Sequence, residues 1–388
     1  MHDRRVVIIQ RVIPDYRESF FRQLNEELTK QGMELILLEG KVQPAECLIS
    51  AGKHLSFAKP CKTFYLPFDI YWMRGITSIC WSARIVIMEQ ASSGLHLYWC
   101  FFLRFIHKIL ARKKQKIILW GHGITLSERR FLLPLRRLWK KMLTKLADYV
   151  FAYTEISAKA FMEMGIPSDK IKIIRNTHDT NQIKNTRSVL SNTELQSLKK
   201  KLFKQDGDIN SIRIGIFCGR LTREKWIPFL LEAITLVHQK IPNFRMIIIG
   251  DGEHASIVQD FCSRQKWCIW TGAIHGHEKV KYMSLADVWL HPGATGLAIV
   301  DSFAMGIPFI TTKNELHRPE IAYLKHFHNG IISPPDAKQY AETVVYLLNN
   351  PSLLSALKWN ALTTANTLTI SQMVQNFCEG ISIALGDD

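Results

Sequence analysis

The sequence predicts an α/β protein built from two Rossmann-like, doubly wound domains. Short β-branched runs alternate with longer amphipathic stretches along its whole length, the pattern of βα units on a mainly parallel sheet. A polar, basic connection near the middle divides the 388 residues into two lengths, each able to bury its own core. Apolar residues make up 47% and charged residues 22%, ordinary globular usage that excludes wholesale disorder and fibrous repeats.

In the first half the β-branched runs place strands at 5–10, 34–38, 84–88, 116–120, 148–153 and 171–175, with a helix over 16–30 stopped by Gly32. In the second half they place strands at 213–217, 245–249, 268–270, 287–290 and 308–311. The divisions are a first domain over 1–180, a connection over 181–210, a second domain over 211–366, and a C-terminal helix over 367–388 that can cross back to the first domain. Asn181, Asn185, Ser188, Ser191 and Asn192, followed by Lys199, Lys200 and Lys201, give the connection its character and leave room for one short helix. Two such halves create a cleft, lined by the carboxyl ends of parallel strands.

Lys and Arg number 50 against 34 Asp and Glu, a net charge of +16 that favours anionic partners. No uncharged apolar run reaches the roughly 18 residues of a spanning helix. The N-terminal residues lack the apolar core and cleavage site of a signal peptide, so a cytoplasmic location is expected. Eight cysteines at scattered spacings read as reduced thiols rather than as a zinc site or a disulfide framework.

Three clusters carry chemistry. Gly219-Arg220-Leu221 and Lys225 follow the strand at 213, where glycine permits close backbone approach and the two cations can reach one anionic group. Gly250-Asp251-Gly252 ends the strand at 245. The run from His291 to Gly306 leaves the N–H groups of Thr295, Gly296 and Leu297 open at a helix start, a site suited to a diphosphate. Asp301, expected in the second turn of that helix, is placed to accept from a sugar or ribose hydroxyl.

The order of these clusters resembles the retaining nucleotide-sugar glycosyltransferases of the large fourth family, bacterial surface-polysaccharide type, which share the two-domain GT-B fold. Trp270-Thr271-Gly272, Ala286-Asp287-Val288 and His317-Arg318-Pro319-Glu320 extend the likeness across the second half. The resemblance implies donor contacts from Gly219, Gly250, Thr271, Thr295, Gly296, Leu297 and Asp301. It implies that Arg220 and Lys225 stabilise a departing nucleotide diphosphate, UDP and GDP being the first candidates. A metal, or any other cofactor, is then not expected. In the first half the likeness is fainter: Asp15, Tyr16 and Arg17, with Asn176, fall on the acceptor side, and His122, between Gly121 and Gly123, faces the donor. The family usually carries two glutamates with seven residues between them in the glycine-rich motif; here Gly293 and Asp301 occupy those positions, so the first carboxylate is absent.

Between Arg104 and Lys145 stand 13 Lys or Arg and one acid, Glu128. Leu135, Leu138, Trp139, Met142 and Leu146 fall at helical spacing, with Arg136, Arg137, Lys140 and Lys141 on another face. That arrangement suits an anionic membrane surface. The expected protein is therefore a transferase peripheral on the inner face of the cell membrane, passing a sugar to a saccharide acceptor, lipid-linked or not, in polysaccharide or lipopolysaccharide synthesis. The alternatives are a nucleotide-sugar 2-epimerase of the same fold and a basic protein binding nucleic acid; no zinc-finger or RNA-binding signature accompanies the charge, so nucleic acid is not the expected partner.

Overall fold

A computed structural model describes residues 4–43, 50–110, 115–123, 133–203 and 209–386, the side chains of 133–136 excepted. The chain forms two compact units: unit 1 comprises Met1–Asp179 with Ile370–Asp388, and unit 2 comprises Thr180–Thr369.

Unit 1 contains strands β1 (Arg5–Gln10), β2 (Glu34–Glu39), β3 (Ala58–Pro60), β4 (Lys62–Leu66), β5 (Ile70–Arg74), β6 (Ile85–Glu89), β7 (Lys116–Gly121), β8 (Tyr149–Ala152) and β9 (Ile171–Ile173). Its helices are α1 (Glu18–Lys30), α2 (Thr77–Trp81), α3 (Leu95–Leu110), α4 (Leu133–Lys145) and α5 (Glu155–Glu163). Seven strands form a parallel sheet in the order β3-β2-β1-β6-β7-β8-β9, while β4 and β5 pair as an antiparallel hairpin. Both faces of the sheet are covered. Val6 and Ile8 of β1 pack with Phe20, Phe21 and Leu24 of α1, and the alternate residues Val7 and Ile9 share a core with Leu97 and Cys100 of α3. That is why these strands read as continuous apolar runs.

Unit 2 begins with α6 (Asn181–Val189) and α7 (Asn192–Phe203). Its strands are β10 (Arg213–Cys218), β11 (Phe244–Ile249), β12 (Cys268–Trp270), β13 (Val288–Leu290), β14 (Phe309–Thr312) and β15 (Gly330–Ser333), all parallel, in the order β12-β11-β10-β13-β14-β15. The remaining helices are α8 (Ile227–Lys240), α9 (Ala255–Arg264), α10 (Gly276–Met283), α11 (Ala298–Ala304), α12 (Ala337–Leu348) and α13 (Pro351–Ala365). Leu230, Leu231, Ile234 and Val237 of α8 all face the core, as their spacing predicts. The last helix, α14 (Ile370–Leu385), belongs to unit 1, where Met373, Phe377, Cys378 and Ile381 complete the core under β1.

The connection differs from its expected form. It holds two helices, and Ile183 and Phe203 enter the core of unit 2, so the segment is part of that unit. A reciprocal cap starts α7: the Ser191 N–H donates to Glu194 Oε2 at 2.9 Å, and the Glu194 N–H donates to Ser191 Oγ at 3.2 Å.

Candidate functional site

In unit 2 the strand order reverses between β10 and β13, and in an open parallel sheet the ligand crevice lies outside the carboxyl ends at that reversal. The loops there pack backbone against backbone. Gly250 has φ +140°, and a Cβ on it would fall 1.9 Å from the Gly219 carbonyl oxygen. A Cβ on Gly293 would fall 2.4 Å from the Glu224 oxygen and 2.6 Å from Lys225 Cα. Only glycine permits these contacts. The missing first carboxylate thus has a steric reason, since the main chain of Glu224 and Lys225 occupies its space.

Lys225 ends a 3₁₀ turn, Arg223–Lys225, and its Nζ donates to the Ala294 carbonyl. His291 Nε2 lies 3.0 Å from the same oxygen, and the Ala294 N–H donates to the Glu224 oxygen at 2.8 Å. Burial pushes the Lys225 ammonium below its usual range against the opposing pull of Glu224. His291, fully buried and stacked on Phe217 at 4.9 Å, is pushed far below the usual imidazole range by burial and by the Lys225 cation. It is a neutral strut. Lys225 therefore fixes the loop with one donor and keeps two for a ligand. Arg220 is exposed at the end of β10, and no ion pair involves it among the described residues.

Of the three N–H groups expected at the helix start, that of Thr295 is taken: it donates to His317 Nδ1 at 3.2 Å. His317 Nε2 stands 2.7 Å from the Thr312 oxygen, which sets the neutral tautomer. The Thr295 and Thr222 hydroxyls are buried and find no hydrogen-bond partner among the described residues. Helix α11 is only seven residues long, and Asp301 lies in its first turn rather than its second. Its carboxylate is 2.6 Å from Lys279 Nζ of α10, a partner the sequence reading missed. Burial alone would lower Lys279, yet the Asp301 carboxylate outweighs it and holds the ammonium above its usual range. The Gly219 N–H donates to the Ile249 oxygen at 3.0 Å, and Thr271 Oγ1 donates to the Gly272 oxygen at 3.0 Å. The sequence does contain one Asp-x-Asp triplet, Asp206-Gly207-Asp208, which lies outside the described residues.

Unit 1 reverses between β1 and β6. Asp15 and Tyr16 are exposed there, the Tyr16 N–H donating to Asp15 Oδ1 at 2.8 Å. Arg17 turns inward. It is 5% exposed, donates to Asn176 Oδ1, and places its guanidinium carbon 5.0 Å from the Trp120 ring and 5.8 Å from that of Tyr153. Asn176 is buried as well. Two of the residues expected on the acceptor side are therefore buried: a planar cation with several aromatic faces and an amide oxygen in reach is better held in that cage. His122 is half-buried, its ring 4.4 Å from that of Tyr153. A further residue, Glu89, ends β6; burial pushes its carboxyl up to about 7, against the pull of Arg11, whose main-chain N–H it also accepts, and of Arg17.

The basic helix is α4. Arg137 is exposed and Lys141 half-buried, while the Arg136 side chain lies outside the described residues. Lys140 is half-buried, and burial pushes its ammonium down to about 8. The apolar stripe Leu138, Trp139, Met142 and Leu146 is exposed, whereas Leu143 and Thr144 face the core. No helix among the described residues is long and apolar enough to cross a membrane.

Residues 213–350 match the family model described as glycosyl transferases group 1. The chain is 28% identical over 213 residues, 50% of its length, to the alpha-monoglucosyldiacylglycerol synthase of Acholeplasma laidlawii, and 29% identical over 152 residues, 38% of its length, to the putative teichuronic acid biosynthesis glycosyltransferase TuaC of Bacillus subtilis. It spans 52% and 36% of those two proteins. Among solved structures it is similar to Anabaena HepE in complex with UDP, at a TM-score of 0.71 and 17% identity, over 98% of this chain and 99% of that one. The fold is GT-B, and residues 213–350 carry the signature of the glycosyl transferases group 1 family.

Proposed function

We propose that the chain is a retaining glycosyltransferase of surface-polysaccharide or glycolipid synthesis, taking a hexosyl or N-acetylhexosaminyl group from a nucleotide-diphosphate sugar to a saccharide or lipid-linked acceptor. The observation that carries this is the pairing, at the strand reversal of unit 2, of a backbone-lined loop with two cations, Arg220 and Lys225. The synthase and TuaC names, and the UDP in HepE, support the same substrates.

Unit 2 binds the donor. Arg220 and the two remaining donors of Lys225 neutralise the diphosphate, doing without a metal the work of a Lewis acid. Asp301, steadied by Lys279, accepts from a ribose hydroxyl. The bond from the sugar's anomeric carbon to the diphosphate oxygen breaks as the acceptor hydroxyl attacks on the vacated face. A diphosphate oxygen takes the hydroxyl proton, and attack on the face that the leaving group vacates retains the configuration. Unit 1 holds the acceptor through Asp15 and Tyr16, His122 faces the donor, and the unit's cations rest on the inner face of an anionic membrane.

The test begins with the melting temperature in a panel of UDP-, GDP- and TDP-sugars, where a bound donor raises it. Arg220→Ala and Lys225→Ala should then each lower turnover at least about tenfold. Arg220→Ala is the cleaner variant, because Lys225 also ties the Ala294 carbonyl. Transfer at the parental rate by Arg220→Ala overturns the diphosphate assignment.

A further inference from the structure

Helix α3 buries His96, Leu97, Cys100, Leu103 and His107. On its opposite side it leaves Phe102, Phe105 and Ile109 in solvent, three and four residues apart on one stripe, with Phe105 62% exposed. Helix α4 lies beside it: Trp139 Nε1 donates to the Tyr98 hydroxyl at 2.7 Å, and an Arg104 guanidinium donates to the Leu146 oxygen at 2.8 Å. Its own exposed stripe, with Trp139 48% exposed and Met142 53%, therefore continues the surface of α3. A contiguous apolar patch of this kind on a water-soluble face marks an interaction site.

Charge decides the occupant. The two helices hold no Asp or Glu and seven Lys or Arg: Arg104, Lys108, Arg136, Arg137, Lys140, Lys141 and Lys145. A second copy docked face to face would set these cations against themselves. An anionic bilayer offers both the negative surface and the hydrocarbon. We infer that α3 and α4 together form a lipid-inserting surface, in which Phe102, Phe105, Ile109, Trp139 and Met142 enter the acyl region while Lys108, Arg137 and Lys145 meet the headgroups. This deepens, and rests on, the membrane attachment proposed from the cations alone. It adds an apolar component that salt does not screen.

The test is flotation of the full chain with vesicles of phosphatidylglycerol and phosphatidylcholine, and with vesicles of phosphatidylcholine only. The variant Phe102→Ser/Phe105→Ser/Ile109→Ser removes exposed groups, so its melting temperature should match the parent's. Its partitioning to the anionic vesicles should fall about a hundredfold. At about 1 M salt, where the Debye length is about 3 Å, the parent should keep measurable binding and the variant none. Brominated acyl chains should quench the parent's tryptophan emission more than that of Trp139→Phe. If the triple variant binds as the parent does while Arg137→Gln/Lys141→Gln releases the protein, insertion is wrong and cationic attachment stands. If the parent binds neither vesicle, both fail. A parental dimer that the triple variant converts to monomer assigns the face to a second copy and overturns the inference.

Discussion

The two units share one strand order over six strands and one point of reversal, yet they line the space beside it with different material. In unit 2 the loops at Gly219, Gly250 and Gly293 press main chain on main chain, and Lys225 and His291 brace the Ala294 carbonyl. In unit 1 the corresponding edge is filled by side chains: Arg17 caged by Trp120 and Tyr153 and tied to Asn176, with Glu89 beside it. A backbone-lined edge has one geometry, which suits a group common to many ligands, such as a diphosphate. An edge made of side chains can be rewritten residue by residue, which suits a partner that varies between relatives.

The sharpest way to break this contrast is at the glycines. Gly250→Ala should cost more than about 3 kcal/mol by denaturant unfolding, because the new Cβ meets backbone that has no rotamer to yield. Gly293→Glu, which restores a carboxylate at the family's usual position, should be destabilising in the same way and regain no donor contact. Gly272→Ala is the control: its φ is +69° with nothing within 4 Å, so only the left-handed strain of about 1 to 2 kcal/mol applies. Equal losses at Gly250 and Gly272 would show that close backbone packing is not what distinguishes unit 2.

Glu89 sharpens the other side. Its carboxyl is raised from 4.5 to about 7, so the folded state holds a proton that the unfolded chain releases. The resulting stability is fully present below pH 4.5 and is lost as pH rises toward 7, by up to about 3 kcal/mol. Glu89→Gln should flatten this fall. His96, pushed down to about 4 by burial, works in the opposite sense over an overlapping window, so the quantity to measure is the difference between variant and parent across pH 5 to 7.5. A difference that does not change with pH removes Glu89 from the buried edge.

The smallest effect is expected at α10. Lys279→Met leaves the Asp301 carboxylate without its ion pair and should cost about 1 to 2 kcal/mol, given that both side chains are partly solvated. Lys279→Arg should recover most of it. Nucleotide affinity followed by calorimetry should fall with Lys279→Met and return with Lys279→Arg; unchanged affinity in the Met variant would separate Asp301 from the ribose.

How much of this was legible depended on whether a residue's role was local. The strands at β1, β7 and β10 are apolar runs buried on both faces after their first residue, and their pattern stands out. The β4–β5 hairpin was not expected, because in Lys62-Thr63-Phe64-Tyr65-Leu66 burial alternates but polarity does not: apolar Phe64 and Leu66 are exposed, while Thr63 and Tyr65 are half-buried. Strand β15 is only four residues long and opens on a glycine, too short a run to stand out as a strand. The glycine clusters were legible because a backbone conformation demands the residue type. Lys279 lies 22 residues from Asp301, and Glu89 is one acid at the end of one strand; only topology brings either to its partners. The direction that the Arg17 side chain takes is set by Trp120, Tyr153 and Asn176, more than 100 residues away in sequence.

Helix α14 gives unit 1 a history as well as a shape. Residues 180–369 form unit 2 as one uninterrupted stretch, whereas Phe20, Trp120 and Phe151 of unit 1 reach their full aromatic surroundings only when Phe377 arrives. During synthesis the first unit must therefore wait, partly uncovered, while the second is made and folds behind it. The sticky interval ends with the last helix. A chain released at residue 369 would carry a complete second unit and a first unit that is a client for chaperones.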